Sequence, residues 1–378
     1  MGLRRGGGPN PALRRPRPRC RTRLRCVVVT RVPAGQLASF LQFLYEAAGM
    51  TRAGARVMAD THVEADLRGI PGHGSRLAPG YLDKLRTGHL NPRPLIRIVQ
   101  DEEAVLVVDA DLAPGPVAAR LAVAAAMLRA RRCGIAAVTV RRAGHVGALG
   151  IPTAQLARRG LVGVAAAQAS ARSVALHGGT STPVLGSSAL SVAIPGPDQQ
   201  RPVLVDLAAA AMSWGHLHHL ARNGQTLPNG VALDASGHRV RDPNLAAALL
   251  PVGERGQALA IVLELLVGAL TGSTPLPAGD DGRGLLVVAV DPRRLAVAQS
   301  LATGVAAVAR AVRDQGARMP GDRAWSQRDQ ARQDGIALDA NGLAALIEAG
   351  RRLNVRAPHG WIQPEPLDAT SGSQKEQT

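Results

Sequence analysis

The chain has 378 residues, with 45 Lys or Arg against 28 Asp or Glu, for a formal net charge of +17. Ten arginines and no acid fall within residues 1–31, which leaves an ordinary +7 on the other 347 residues. With seven aromatic residues in all and no basic stripe in the remainder of the chain, binding of single-stranded nucleic acid is disfavoured.

Residues 1–31 read as a disordered, Arg-rich leader, because no apolar segment of signal-peptide length follows them. From Val32 a helical pattern begins, with Leu37, Phe40, Leu41, Leu44 and Ala48 at three- and four-residue steps. Thr51 is placed to cap a second helix that stops at Gly69, and a turn rich in glycine and proline leads to a third helix near Tyr81–Arg86. Ala104–Asp109 reads as a buried strand, then an Ala-rich helix closes at Gly134, and a strand over 135–140 follows. A helix near Thr153–Arg159 precedes strands at 161–167, 190–194 and 202–207. Residues 222–244 are turn-rich, 258–270 form a buried helix, 285–290 a strand, and 292–314 one long helix. Strands alternating with helices indicate a mixed α/β (α+β) class. The 258–270 run contains Glu264 and is too short to span a bilayer. Cys20, Cys26 and Cys133 form neither a disulfide framework nor a zinc pair, so a reducing, cytoplasmic setting is expected.

No G-x-G-x-x-G follows a strand, so a dinucleotide-binding fold of the usual kind is not indicated. His73 lies between glycines with Arg76 and Tyr81 close behind, a set able to grip a carboxylate or simply to form a solvated connector. His145 falls just past the 135–140 strand, where a general acid or base is well placed, although taken alone a turn histidine bonding a nearby carbonyl is the stronger reading there. Asp206 ends a strand. Arg255 and Gly256 open the 258–270 helix, a geometry suited to an anion or to a plain cap. His216, His218 and His219 do not converge at helical spacing, and no metal site is expected.

The order of ADLRGIPGHG (65–74), PGY (79–81), GIAAVTVRRAGHVGALG (134–150), ALHGG (175–179), PVLVDLA (202–208), LPNGVALDASG (227–237), LLPVGERG (249–256) and MPGD (319–322) resembles the type-2 malate/L-lactate dehydrogenase family. The resemblance spans about 32–355. It implies a non-Rossmann fold binding NAD or NADP, usually a homodimer, and hydride transfer to or from a small 2-oxo or 2-hydroxy acid. It further implies that His145 and His73 are catalytic, that Arg76 and Tyr81 bind the substrate carboxylate, and that Ser170, Ser188, Asp206, Arg255 and Gly256 contact the cofactor. The domains expected on this basis are the leader (1–31), a helical part (32–100) packed on the C-terminal part (285–363), a cofactor-binding centre (101–284) and a disordered tail (364–378). Departures from the family pattern include Gly72 for a serine, Gln168 for an asparagine, and Leu77 at the position four after His73 where an arginine is commoner. They give the alternative reading, a catalytically degenerate dimeric member serving as a scaffold or metabolite binder.

Overall fold

The computed structural model describes residues 29–169, 173–277, 279 and 282–361; residues 1–28 of the predicted leader, the predicted tail and Ser170 lie outside them, and residues 29–31, read as leader, belong to a strand. β1 (Val29–Val32) leads into α1 (Ala34–Ala47), α2 (Arg52–Leu67), two short 3-10 turns over 71–77, and α3 (Ala78–Arg86). Then come β2 (Arg97–Asp101), β3 (Val105–Asp109), α4 (Gly115–Cys133), β4 (Ile135–Ala143), α5 (Gly150–Ala157), β5 (Val162–Ala167), β6 (Ala189–Ile194) and β7 (Val203–Ala208). α6 (Trp214–Arg222), β8 (Ala232–Leu233), β9 (Ala248–Leu249), α7 (Gly253–Glu264), β10 (Arg283–Val290), α8 (Ala298–Asp314), α9 (Asp322–Asp334), β11 (Ile336–Asp339) and α10 (Ala340–Arg352) complete the order.

The main sheet has seven strands in the order β2-β3-β4-β10-β5-β6-β7. Only β3 and β4 run parallel, joined by α4, and every other pairing is antiparallel. Ala118, Ala122, Ala126 and Ala130 repeat at four-residue spacing on the buried face of α4, where small side chains let the helix lie close to the strands. The N-terminal helices share a core with the C-terminal segment: Leu37, Phe40, Leu44 and Tyr45 pack with Ile336, Leu338, Leu346 and Trp361. β1 pairs with β11 and ties the two chain ends together. Thr51 accepts a hydrogen bond from Gly54 N at 3.2 Å, which starts α2 where the cap was predicted.

Several elements differ from the sequence reading. β3 buries only alternate residues, because a sheet next to one helix layer covers one face of the strand. The helix read as buried over 258–270 is α7, running on into a π-helical turn over Leu265–Ala269, and Ile261, Val262, Leu265 and Leu270 are exposed. The long helix begins at Ala298, since Asp291 binds Arg293 and holds 292–297 in a turn. β10 lies at the centre of the main sheet and straddles the boundary drawn at 284 from the sequence. β1, β2, β11, α6, α9 and α10 were not anticipated.

Candidate active site

The loop between α2 and α3 carries His73, and the segment after β4 carries His145. Their rings stack, with centroids 5.5 Å apart and planes at 21°. Two features of α2 fix the loop. Asp66 accepts from Ser75 N at 2.8 Å, and the backbone at Gly74 passes so close that a Cβ there would lie 1.7 Å from Asp66 Oδ1. His62, fully buried, donates from Nδ1 to the His73 carbonyl at 3.3 Å and accepts from the Tyr45 hydroxyl at 2.9 Å. A carbonyl can only accept, so the proton is on Nδ1 and the ring is neutral. Burial is the main reason its pKa is lowered to about 4.

The same reasoning assigns the tautomer of His145. Tyr81, on α3, donates its hydroxyl hydrogen to the His145 carbonyl at 2.6 Å. Its oxygen also lies 2.9 Å from His145 Nδ1, and with its only hydrogen committed it can there only accept. Nδ1 therefore holds the ring proton, and Nε2 presents a lone pair. Burial first, and then repulsion from His73, Arg283, His62 and Lys84, lowers the His145 pKa to about 3. Burial also lowers the pKa of His73, whose Nδ1 is buried without a hydrogen-bond partner, and raises that of the Tyr81 phenol. The site is thus a pair of neutral imidazoles with a protonated phenol.

Both histidines line a cleft of about 650 Å³, whose lining includes the small residues Ala148, Ala167, Ala189 and Ala210. Asp206, on β7, lines it as well and accepts from Gly150 N at 2.7 Å; burial raises the pKa of its carboxyl. Gly150 O in turn accepts from Arg68 at 3.1 Å, and Arg68 is paired with Glu64 and stacked 4.5 Å over Trp325. The start of α5 is therefore clamped through both backbone polar groups of one residue, Gly150.

The remaining expected residues are placed differently. Arg76 pairs with Asp339, the cap of α10, and lies 2.9 Å from His219 Nδ1, away from the cleft. Ser188 is fully buried, with its hydroxyl near Glu264 and Ala169 N, and Ser187 lines the cleft instead. Arg255 is exposed on α7 and makes no hydrogen bond or ion pair among the described residues. Gly256 is buried, where a Cβ would lie 3.1 Å from Ala209 O, so its role in the fold is close packing. His216 and His219 stack on each other, and no cluster able to hold a metal ion exists among the described residues. His62, Asp66 and Arg68 were missed, although the last two stand inside the motif ADLRGIPGHG.

Residues 32–347 match the malate/L-lactate dehydrogenase family. The chain belongs to that family. It is 31% identical over 336 residues to the Delta(1)-pyrroline-2-carboxylate/Delta(1)-piperideine-2-carboxylate reductase of Pseudomonas putida, covering 85% of this chain and 97% of that one. It is 30% identical to the L-sulfolactate dehydrogenase of Methanothermobacter thermautotrophicus, over 79% of this chain and 90% of the other. Among solved structures, a dehydrogenase from Sinorhizobium meliloti superposes with a TM-score of 0.78 at 30% identity, over 85% of this chain and 98% of that chain. The malate dehydrogenase of Entamoeba histolytica, at 22% identity with a TM-score of 0.83 over 88% and 100%, shares the fold. This family member is accordingly a nicotinamide-linked oxidoreductase of the hydroxy- and oxo-acid type. Among the described residues no helix is long and apolar enough to cross a membrane.

Proposed function

We propose that His145 is the acid/base group for hydride transfer between NAD or NADP and a small 2-hydroxy acid or its 2-oxo or imino partner. The observation that carries this reading is the tautomer set by Tyr81, which leaves His145 Nε2 as a base at the cleft. The cleft suits a nicotinamide coenzyme: the small residues in its lining leave room for flat rings, and His73 Nδ1 and the Asp206 carboxyl offer polar contacts. Such a coenzyme, when bound, supplies or accepts the hydride. In the oxidative direction His145 Nε2 takes the hydroxyl proton, and Tyr81 holds the ring while the imidazolium forms. In the reductive direction the protonated ring returns that proton to the nascent hydroxyl or amine. His73, stacked on His145, shields it from water. The departures at Gly72, Leu77 and Gln168 do not break this arrangement, and nothing in the site favours the degenerate alternative.

Ile261, Val262, Leu265 and Leu270, exposed along α7 and its π-helical turn, together with α8, which buries no residue completely, support a homodimer. Light scattering on the full chain tests that part. For the reaction, the test is a fluorescence titration with NADH and NADPH, followed by a screen of 2-oxo acids and cyclic imines. Saturable binding and turnover are expected. A folded protein that binds neither coenzyme would sink the reading.

A further inference from the structure

A 2-oxo acid carries a carboxylate next to the carbon that is reduced, so its anchor must be a cation within a few ångströms of His145. Arg76 is not placed to serve, because Asp339 and His219 hold its guanidinium and its side chain is only 13% exposed. Tyr81 has given its hydrogen to the His145 carbonyl and has no donor left for an anion.

On another side of His145 lies a second, smaller cleft of about 260 Å³. Leu77, the residue after Arg76, faces it, and so do Tyr81, Leu90, Lys84 and Arg283. The last two bring positive charge from separate elements: Lys84 is half-buried on α3, and Arg283 is the first residue of β10, 6% exposed. Arg283 Nη1 donates to Ala169 O at 2.9 Å, and Ala169 lines the larger cleft, so this guanidinium stands at the border between the two. Its charge is felt at both Tyr81 and His145. A cleft of this size is below the ~300–1,000 Å³ of sites for drug-sized ligands and suits a metabolite of a few carbons.

We infer that the substrate carboxylate is held in this smaller cleft by Arg283 and Lys84, in place of Arg76, with Leu77 and Leu90 beside the hydrocarbon part. The inference rests on the hydride-transfer reading above, and it assigns the two clefts separate tasks. The coenzyme takes the larger one, the acid the smaller one, and His145 is common to both.

The probe is oxamate, which has the shape of a small 2-oxo acid but is not reduced, titrated calorimetrically into the full chain with NADH present. Arg283→Gln and Lys84→Met are each expected to weaken oxamate roughly 10-fold or more. NADH affinity, read by fluorescence, is expected to stay within about twofold of the parent. Arg283→Lys should recover part of the loss. If Arg283→Gln fails to fold, Lys84→Met, at a half-buried position on α3, carries the test alone. A folded variant that binds NADH and holds oxamate as tightly as the parent overturns the inference while leaving the oxidoreductase reading intact. A parent protein that binds NADH but not oxamate overturns it too, whereas one that binds neither NADH nor NADPH removes the reading beneath it.

Discussion

The Tyr81 phenol spans the backbone and the ring of a single residue, lying 2.6 Å from His145 O and 2.9 Å from His145 Nδ1. One hydroxyl hydrogen cannot satisfy two acceptors, so the carbonyl takes it and the ring nitrogen must donate. A tyrosine that the family resemblance associates with substrate binding is thereby positioned to select which nitrogen of the base is free.

Tyr81→Phe removes that selection while keeping nearly all of the packing. The imidazole can then rotate or change tautomer, and only part of the population presents a basic Nε2. Turnover is expected to fall about 10- to 100-fold with little change in coenzyme affinity. Steady-state kinetics beside an NADH titration checks this, and an unchanged kcat would show that the phenol does not set the tautomer.

The pH dependence follows from the low His145 pKa. With the free-enzyme value lowered from 6.5 to about 3, the imidazole is a competent base throughout the neutral range. For oxidation of the hydroxy acid, kcat/KM, which reports the free enzyme, should therefore show no acid limb near pH 6.5 and lose activity only as the pH approaches about 3. For the reductive direction the required protonated form is scarce, and kcat/KM should rise as pH falls through the neutral range. An acid limb at pH 6–7 in the oxidative direction would mean that burial and the surrounding cations do not govern this group.

Gly74 has an ordinary φ of −87°, so its requirement for glycine is one of space rather than backbone conformation. A methyl group there must displace the Asp66 carboxylate and, with it, the hydrogen bond to Ser75 N. Gly74→Ala is expected to cost ~1–3 kcal/mol by overpacking and to shift the loop that carries His73. Adding Asp66→Ala empties the contested space without placing a glycine inside α2. If the double variant is no more stable than Gly74→Ala alone in thermal unfolding, the close approach is not the cause.

How much of this could be read beforehand depended on whether an element carried a pattern of its own. α1, α2 and α4 have apolar residues at helical spacing and were found at nearly the right places. α9 is polar on almost every side and buries only Trp325, so no periodicity announces it. β2 is exposed at every position and owes its existence to pairing with β3. His73, His145 and Asp206, each marked in the sequence by a motif or a strand end, line one cleft. Arg76 pairs with Asp339 and His219, partners too distant in sequence for a local motif to reveal. The same holds for Arg283, which reaches His145 only because β10 pairs with β4. Long-range pairing, not local propensity, decided each of these.

Asp66 also sets a stability prediction that separates two opposing titrations. Burial raises its carboxyl pKa to about 6, despite the Ser75 hydrogen bonds and the Arg76 charge that pull it down. Because the folded value lies above the unfolded one, the folded state is disfavoured by the ionised form at pH above 6, and this cost disappears as pH falls from 6 toward 3.8. His62 runs the other way: its lowered pKa gives stability that is complete above pH 6.5 and lost as pH falls toward 4. The two effects offset each other in the parent chain. Asp66→Asn abolishes the first and leaves the second, so it should stabilise the protein by ~2 kcal/mol at pH 8 and by almost nothing at pH 4. Urea unfolding of both proteins at the two pH values measures this directly. A gain of equal size at both would mean that a packing effect, and not the ionisation of Asp66, is responsible.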